Sequence, residues 1–226
     1  MHRPRSIAIS LLPASEDDIP SLIRVHMTAF AYDNSARLMF KDKDEYETAL
    51  LDMLKAQLSN PKIAVIKAIS KDTGNVLGWQ ASRFLGEDDD LGAVAGVEEV
   101  EDETKDRKEN TPTLRSVIRK DSVRVQQDWM ANREYIHFTT LVVDPAAQGH
   151  GVGTALVRWV TDNADEHGIY CWLQSSQAAH GIYLKAGFKD VGSFEVDLRE
   201  FAPGGKRGGW GWGLYKYRYM LRLPGS

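Results

Sequence analysis

The stretch His137-Phe-Thr-Thr-Leu-Val-Val-Asp-Pro-Ala-Ala-Gln-Gly-His-Gly-Val-Gly153 decides how the chain is read. A β-branched and apolar run from Phe138 to Val143 stops at Asp144-Pro145. Three glycines follow on alternate positions, and Thr154-Ala-Leu-Val-Arg-Trp-Val160 then takes up helical apolar spacing. The order is strand, glycine turn, helix start. The first amides of a helix have no carbonyl partner within it, and glycines at 149, 151 and 153 remove side chains that would keep a ligand away from them. Such a junction is either an ordinary tight turn or a pocket for an anion, above all a phosphate.

Spacing separates the known phosphate patterns. A P-loop needs Lys-Ser/Thr after its last glycine, and no Lys follows Gly153. The dinucleotide fingerprint needs glycine at its sixth position, where Thr154 stands, and the next strand ends in Gln174 rather than in a ribose-binding acid. Gln148-Gly149-His150-Gly151-Val152-Gly153 instead resembles the Gln/Arg-x-x-Gly-x-Gly/Ala pyrophosphate loop of the GCN5-related N-acetyltransferases, the GNAT family. A second segment supports the resemblance. Gly168 to Gln174 reads as a buried strand, Ser175-Ser176 as a helix start, and Gln177 to Phe188 as a short helix closed by glycine. The family carries Asn-x-x-Ala-x-x-x-Tyr-x-x-x-Gly-Phe here, and Ala179, Tyr183, Gly187 and Phe188 fall on those marks with Ser176 in place of the Asn. Two motifs in order extend the resemblance over roughly residues 6 to 223.

The resemblance implies an α/β (α+β) fold: a GNAT-like mixed, mostly antiparallel sheet splayed after the central strand, with helices on both faces. It implies acetyl-CoA as co-substrate and transfer of the acetyl group to a primary amine of a small molecule or peptide. The amides from Gly149 through His150, Gly151, Val152 and Gly153 to Thr154, with Gln148, would hold the pyrophosphate. Main-chain groups of Leu141, Val142 and Val143 would line the pantetheine arm, with the Leu141 amide polarising the thioester carbonyl. Ser176 and Ala179 take the positions of further coenzyme contacts, and Ser176 departs from the family Asn. Tyr183 matches the tyrosine that gives a proton to the departing thiolate, a task suited to a phenol that stays protonated at neutral pH. His137 lies four residues before Leu141, so strand alternation predicts a shared face and a base titrating near neutrality; water is the alternative base. Phe30, Tyr32 and Phe40 border the family's acceptor region, and Trp210 or Trp212 in a glycine-tryptophan patch, 203–213, would cover the acceptor. The competing reading is an acyl-CoA-binding sensor or interaction module of the same fold with little catalysis.

Length and composition agree with one domain over 1–226: 226 residues, 42% apolar, are enough for one sizeable core. The single cysteine, Cys171, rules out an internal disulfide framework, and a reducing cytosolic or nuclear setting is expected. No run approaches the ~20 apolar residues needed to cross a bilayer, and Met1 to Ser6 lacks a signal-peptide core. No membrane, metal or nucleic-acid partner is expected. Net charge is −4, yet Glu87 to Asn110 holds eleven acids against three bases, leaving the rest of the chain at +4. That stretch reads as a solvated acidic loop insertion, about 86–110, or as a lip that attracts a cationic amine such as a polyamine, an aminoglycoside-like compound or a basic peptide.

Local patterns fill in the remainder. Ser6 to Leu12 alternates as a strand, and Ser15-Glu-Asp-Asp18 caps a helix running to Phe30. A second helix spans Asp42 to Leu58, and 63–69 with 76–84 forms a hairpin about Lys71 to Asn75. A helix opened by Thr111-Pro112 runs to Trp129, and strands from Gly192 to Leu198 and from Leu214 to Leu223 close the chain.

Overall fold

Apolar alternation in the 63–85 region builds an antiparallel hairpin, and the rest of a seven-stranded sheet assembles on its two sides. The computed structural model describes residues 7–40, 42–87, 89, 112–204 and 211–226. The strands are β1 (Ile9–Pro13), β2 (Ile63–Ser70), β3 (Val76–Leu85), β4 (Tyr135–Val143), β5 (Tyr170–Ser175), β6 (Lys189–Asp197) and β7 (Leu214–Arg222). The helices are α1 (Ile19–Ala29), α2 (Asn34–Met39), α3 (Lys43–Ser59), α4 (Leu114–Met130), α5 (Val152–His167) and α6 (His180–Lys185). Strand order is β1-β2-β3-β4-β5-β7-β6, with every neighbour antiparallel except β4 and β5.

Helix starts follow short polar side chains that accept otherwise unpaired amides. Asp42 accepts from Glu45 N (2.9 Å) to begin α3, Thr113 from Ser116 N (3.2 Å) to begin α4, and Asp33 from Ala36 N (2.8 Å) to begin α2. Gly168, at φ 66, ends α5 in the left-handed conformation. One sheet face carries α1, α3 and α4: Leu22, Val25 and Leu54 pack on Trp79, Ala81 and Val142, while Val125 and Met130 pack on Tyr135, Trp172 and Tyr219. The other face carries α5 and α6, where Val157, Val160 and Tyr183 meet Ile136, Phe138 and Leu173. Cys171 is fully buried in this layer, and burial pushes its thiol up to about 12.

Several boundaries differ from the sequence reading. The first strand, expected from Ser6 to Leu12, runs from Ile9 through Pro13. The helix expected after Ser175-Ser176 begins only at His180, because Ser175 completes β5 and a turn occupies 177–179. Between the helix expected to run to Phe30 and the one expected from Asp42 lies a further helix, α2. Residues 88 and 90–110 of the acidic insertion, and 205–210 of the glycine-tryptophan patch including Trp210, lie outside the described residues, as do 1–6. No described helix is long and apolar enough to cross a membrane.

Candidate active site

β4 and β5 pair over three rungs only: Tyr135 with Tyr170, Ile136 with Cys171, and His137 with Trp172. Beyond His137 the two strands part and leave a fork. Which main-chain groups face it follows from the other edge of β4. The Asp144 N–H donates to Leu77 O (2.8 Å), and the Val142 carbonyl points at Gly78, so the groups of 142 and 144 face β3. Alternation turns the N–H and C=O of Leu141 and Val143 toward the fork. Gln148 lies at its mouth, its Nε2 donating to Val143 O (3.2 Å).

The glycine turn completes this edge. Gly149 (φ 77) and Gly151 (φ 90) hold a left-handed backbone that a side chain would strain, and Gly151 caps α5 with no side-chain bond of its own. The first amides of α5, at Val152, Gly153 and Thr154, therefore point out of the helix N-terminus unpaired within it, and the helix dipole favours an anion there. Gly153 has a packing reason as well: a Cβ would lie 3.0 Å from Ile182 Cδ1 and 3.4 Å from Val143 Cγ2, so glycine lets α5 sit close to β4 and α6. Val152 buries its side chain in the core and offers only its backbone, while His150 Nδ1 turns back onto Gln148 O (2.8 Å).

The sequence reading passed over Gly78, although an isolated glycine in a strand pattern signals close backbone approach. A Cβ there would lie 2.6 Å from Val142 O and 3.3 Å from Val143 Cα. Gly78→Ala is expected to push β4 outward, to cost about 1–3 kcal/mol by overpacking, and to weaken any ligand held along Leu141 and Val143. Urea unfolding and ligand titration check this, and an unchanged midpoint with unchanged affinity would contradict it.

The placing of His137 is corrected by a bulge. Ala81 pairs with Thr140 and Ser82 with Phe138, so Thr139 is an extra residue in β4, its Oγ1 donating to Ala81 O (3.0 Å). The insertion breaks the two-residue period between 137 and 141. His137 shares the α4 face with Tyr135, whereas Leu141 packs toward α5. The expected near-neutral titration is corrected too: burial, with a smaller contribution from the Arg83 guanidinium, holds the imidazole down to about 4.

Tyr183 stands beside the fork on the α6 side, its ring edge-on to Phe138 (5.7 Å) and to Phe188 (5.7 Å). Burial raises its pKa well above that of an ordinary phenol, so it remains a proton donor. Ala179 is the N-cap residue of α6, and Ser176 follows the end of β5 on the far wall of the fork. A separate cleft of about 580 Å³ lies toward β1 and β2, beside the Asp144–Ala147 turn; its Lys67–Asp18 and Arg24–Asp144 pairs satisfy one another.

Residues 117–190, which span the bulged strand, the fork and both motif segments, match the family model described as an acetyltransferase (GNAT) domain. Over 117–190 the chain is similar to a GNAT acetyltransferase domain. Over 55 residues it is 44% identical to an uncharacterized N-acetyltransferase of Schizosaccharomyces pombe, a match that takes in 24% of this chain and 23% of the relative. The matched stretch is thus about a quarter of that relative's length. Among solved structures, arylalkylamine N-acetyltransferase 2 from Aedes aegypti superposes with a TM-score of 0.63 at 16% identity, over 95% of this chain and 98% of that one. The mosquito arylalkylamine N-acetyltransferase like 5b gives 0.60 at 14%, over 96% and 100%. The PaiA N-acetyltransferase from Thermoplasma acidophilum in complex with coenzyme A gives 0.50 at 13%, over 96% and 99%. At these identities the structures establish a shared fold.

On the opposite side of the sheet, α2 spans between the two halves. Asn34 Nδ2 donates to Gly211 O (2.8 Å), Tyr215 OH donates to Asp33 Oδ2 (2.6 Å), Ser35 bonds to Tyr217 OH, and Arg37 lies over the Trp212 ring (5.3 Å). The expected acceptor contacts fare differently. Phe30 stacks on His26 (4.7 Å) in the core, Phe40 stacks on Tyr46 (4.0 Å) beneath Arg115, and Tyr32, 93% exposed, stands in solvent. Trp212 is half-buried beside α2. No group of three or more potential metal ligands occurs among the described residues.

Proposed function

We propose that this GNAT domain transfers the acetyl group of acetyl-CoA to a primary amine, in a small molecule rather than in a protein. One observation carries the reading: the main-chain edge of Leu141 and Val143, with Gln148 Nε2 on the Val143 carbonyl, runs along the fork directly into the open amides at 149–154. A long ligand with an extended amide-bearing arm and a pyrophosphate end fits that order of groups. Gln148 and the amides of Gly149 to Thr154 hold the anionic end through the helix terminus. The bound co-substrate supplies an activated thioester. The Leu141 N–H, aimed into the fork, stabilises negative charge developing on the acetyl oxygen. Tyr183 OH gives its proton to the departing sulfur and regains one from solvent. Water, rather than His137, takes the proton of the amine, because an imidazole held at about 4 is a poor base at neutral pH.

The test is thiol release from acetyl-CoA against a mixed panel of amines, including the arylalkylamines for which two structural neighbours are named. Release with at least one amine supports the reading. Binding without release on every amine would favour an acyl-CoA-binding module, a reading that Ser176 in the family's Asn position favours. We place the protein in a reducing cytosolic or nuclear setting, on the strength of its one buried, inert thiol.

A further inference from the structure

The amides at 149–154 can hold an anion only where the turn before them is fixed, and that turn has little packed behind it. Pro145–Ala147 forms a short helical turn between β4 and Gln148, and of its three residues Ala147 alone is buried. On the α1 side the turn overhangs the cleft of about 580 Å³, whose lining includes Val76, Leu77, Asp144, Ala146 and Ala147. Space, rather than a layer of side chains, backs the turn there.

Arg24 of α1 also lines this cleft, and it bridges to the turn. Its Nη1 donates to Asp144 Oδ2 (3.2 Å), and its Nη2 donates to the carbonyl of Val76, the first residue of β3 (3.1 Å). Asp144 passes the constraint on. Its Oδ1 accepts from Ala146 N (3.0 Å), its N–H donates to Leu77 O (2.8 Å), and its carbonyl accepts from Ala147 N (2.8 Å). Gln148 N donates to Pro145 O (3.3 Å), so bonds run from α1 to the mouth of the fork. The helix at the other end is firmly seated: Leu22 and Val25 are fully buried, and Trp79 Nε1 donates to Leu22 O (3.0 Å). A guanidinium presents its donors in a rigid fork, which suits a span between a carboxylate and a carbonyl.

We propose that Arg24 is a positioning residue for the coenzyme: through Asp144 it holds the 145–148 turn in the arrangement that presents the amides of 149–154 to the pyrophosphate. The proposal rests on the acetyltransferase reading. Arg24 acts through Asp144 and touches no part of the ligand, so its effect falls on the pyrophosphate end. When such a segment is released, apparent affinity falls by the fraction of chains that keep the competent arrangement. An ion pair with a half-exposed arginine biases a segment by about fivefold at most, which sets the size of the loss. The thioester arm, held along Leu141 and Val143 in the sheet, does not depend on the turn.

The experiment titrates acetyl-CoA and S-acetylpantetheine calorimetrically, at fixed salt, into the full chain as wild type, Arg24→Met, Asp144→Asn and the double variant. Methionine keeps the helix and the apolar stem but has no donor. Asparagine still accepts from Ala146 N but carries no charge. Arg24→Met is expected to weaken acetyl-CoA about fivefold and to leave S-acetylpantetheine unchanged. The double variant should be no weaker than Arg24→Met, because the two residues act through one contact. In thiol release, KM for acetyl-CoA should rise by the same factor with kcat retained. A general loss of structure would weaken both ligands alike, and that result overturns the proposal. An unchanged ratio of the two affinities in a folded Arg24→Met overturns it as well, as do losses that multiply in the double variant. Arg24→Gln repeats the test if Arg24→Met melts early in urea. A wild type that does not bind acetyl-CoA would refute the coenzyme reading and this proposal with it, whereas a wild type and an Arg24→Met with the same preference for acetyl-CoA would refute this proposal alone.

Discussion

Tyr183→Phe is expected to lower turnover about 100-fold, the scale of positioned proton donation, with acetyl-CoA affinity nearly unchanged. The ring packs between Phe138 and Phe188 in the α5 and α6 layer, and phenylalanine keeps that packing while deleting only the hydroxyl. Burial disfavours the phenolate, so the group is protonated throughout the working pH range and its proton is always available. An interaction made only as the sulfur departs should reduce kcat and kcat/KM together. Steady-state thiol release with the best amine of the panel, alongside calorimetric titration of acetyl-CoA, separates the outcomes. An undiminished rate would remove Tyr183 as the acid, and a lost affinity with unchanged turnover would make it a packing residue.

The second large effect is on stability. His137 is held at about 4 and His26 at about 3, both chiefly by burial, the latter within a stack of Phe30, Tyr46 and Trp79. Both folded values lie below the ordinary imidazole value of 6.5. Between 6.5 and the folded value, the unfolded chain therefore binds protons that the folded chain refuses, and stability falls as pH falls. The contribution is full above pH 6.5 and is lost progressively toward pH 4, on the order of 3 kcal/mol for each imidazole. Asp18 and Asp165, whose partners Lys67 and Arg222 help hold them below the ordinary carboxylate value of 3.8, lose their contributions only at still lower pH. Urea unfolding at pH 7.5, 6, 5 and 4.5 should show a falling midpoint across the histidine window, and His137→Gln should make the fall shallower, the remainder being carried by His26. A midpoint constant from pH 7.5 to 4.5 would contradict the burial of these two neutral rings.

The strand-glycine-helix junction was legible in sequence because its chemistry is local: the glycines that open the backbone, the helix that supplies the amides and the apolar run before them adjoin in the chain. The fork itself followed only through the family resemblance, since three rungs of parallel pairing between 135–137 and 170–172 are a long-range fact. The bulge at Thr139 was not legible. It is defined by the register against Ala81 and Ser82, and it alone moved His137 to the face opposite Leu141. Helix α2 escaped notice because six residues give fewer than two turns of pattern, and its Leu38 and Met39 are ordered by packing near Leu114 and Tyr217 rather than by their own periodicity.

The most direct measurement is calorimetric titration, at fixed salt, of the wild-type protein with acetyl-CoA and in parallel with S-acetylpantetheine, which carries the same thioester arm without the pyrophosphate. If the fork receives the arm and the amides of 149–154 hold the pyrophosphate, acetyl-CoA binds with one site per chain and S-acetylpantetheine at least tenfold more weakly. No heat with acetyl-CoA, or equal affinity for the two, would show that the glycine junction is a turn and that the fork is not a coenzyme site.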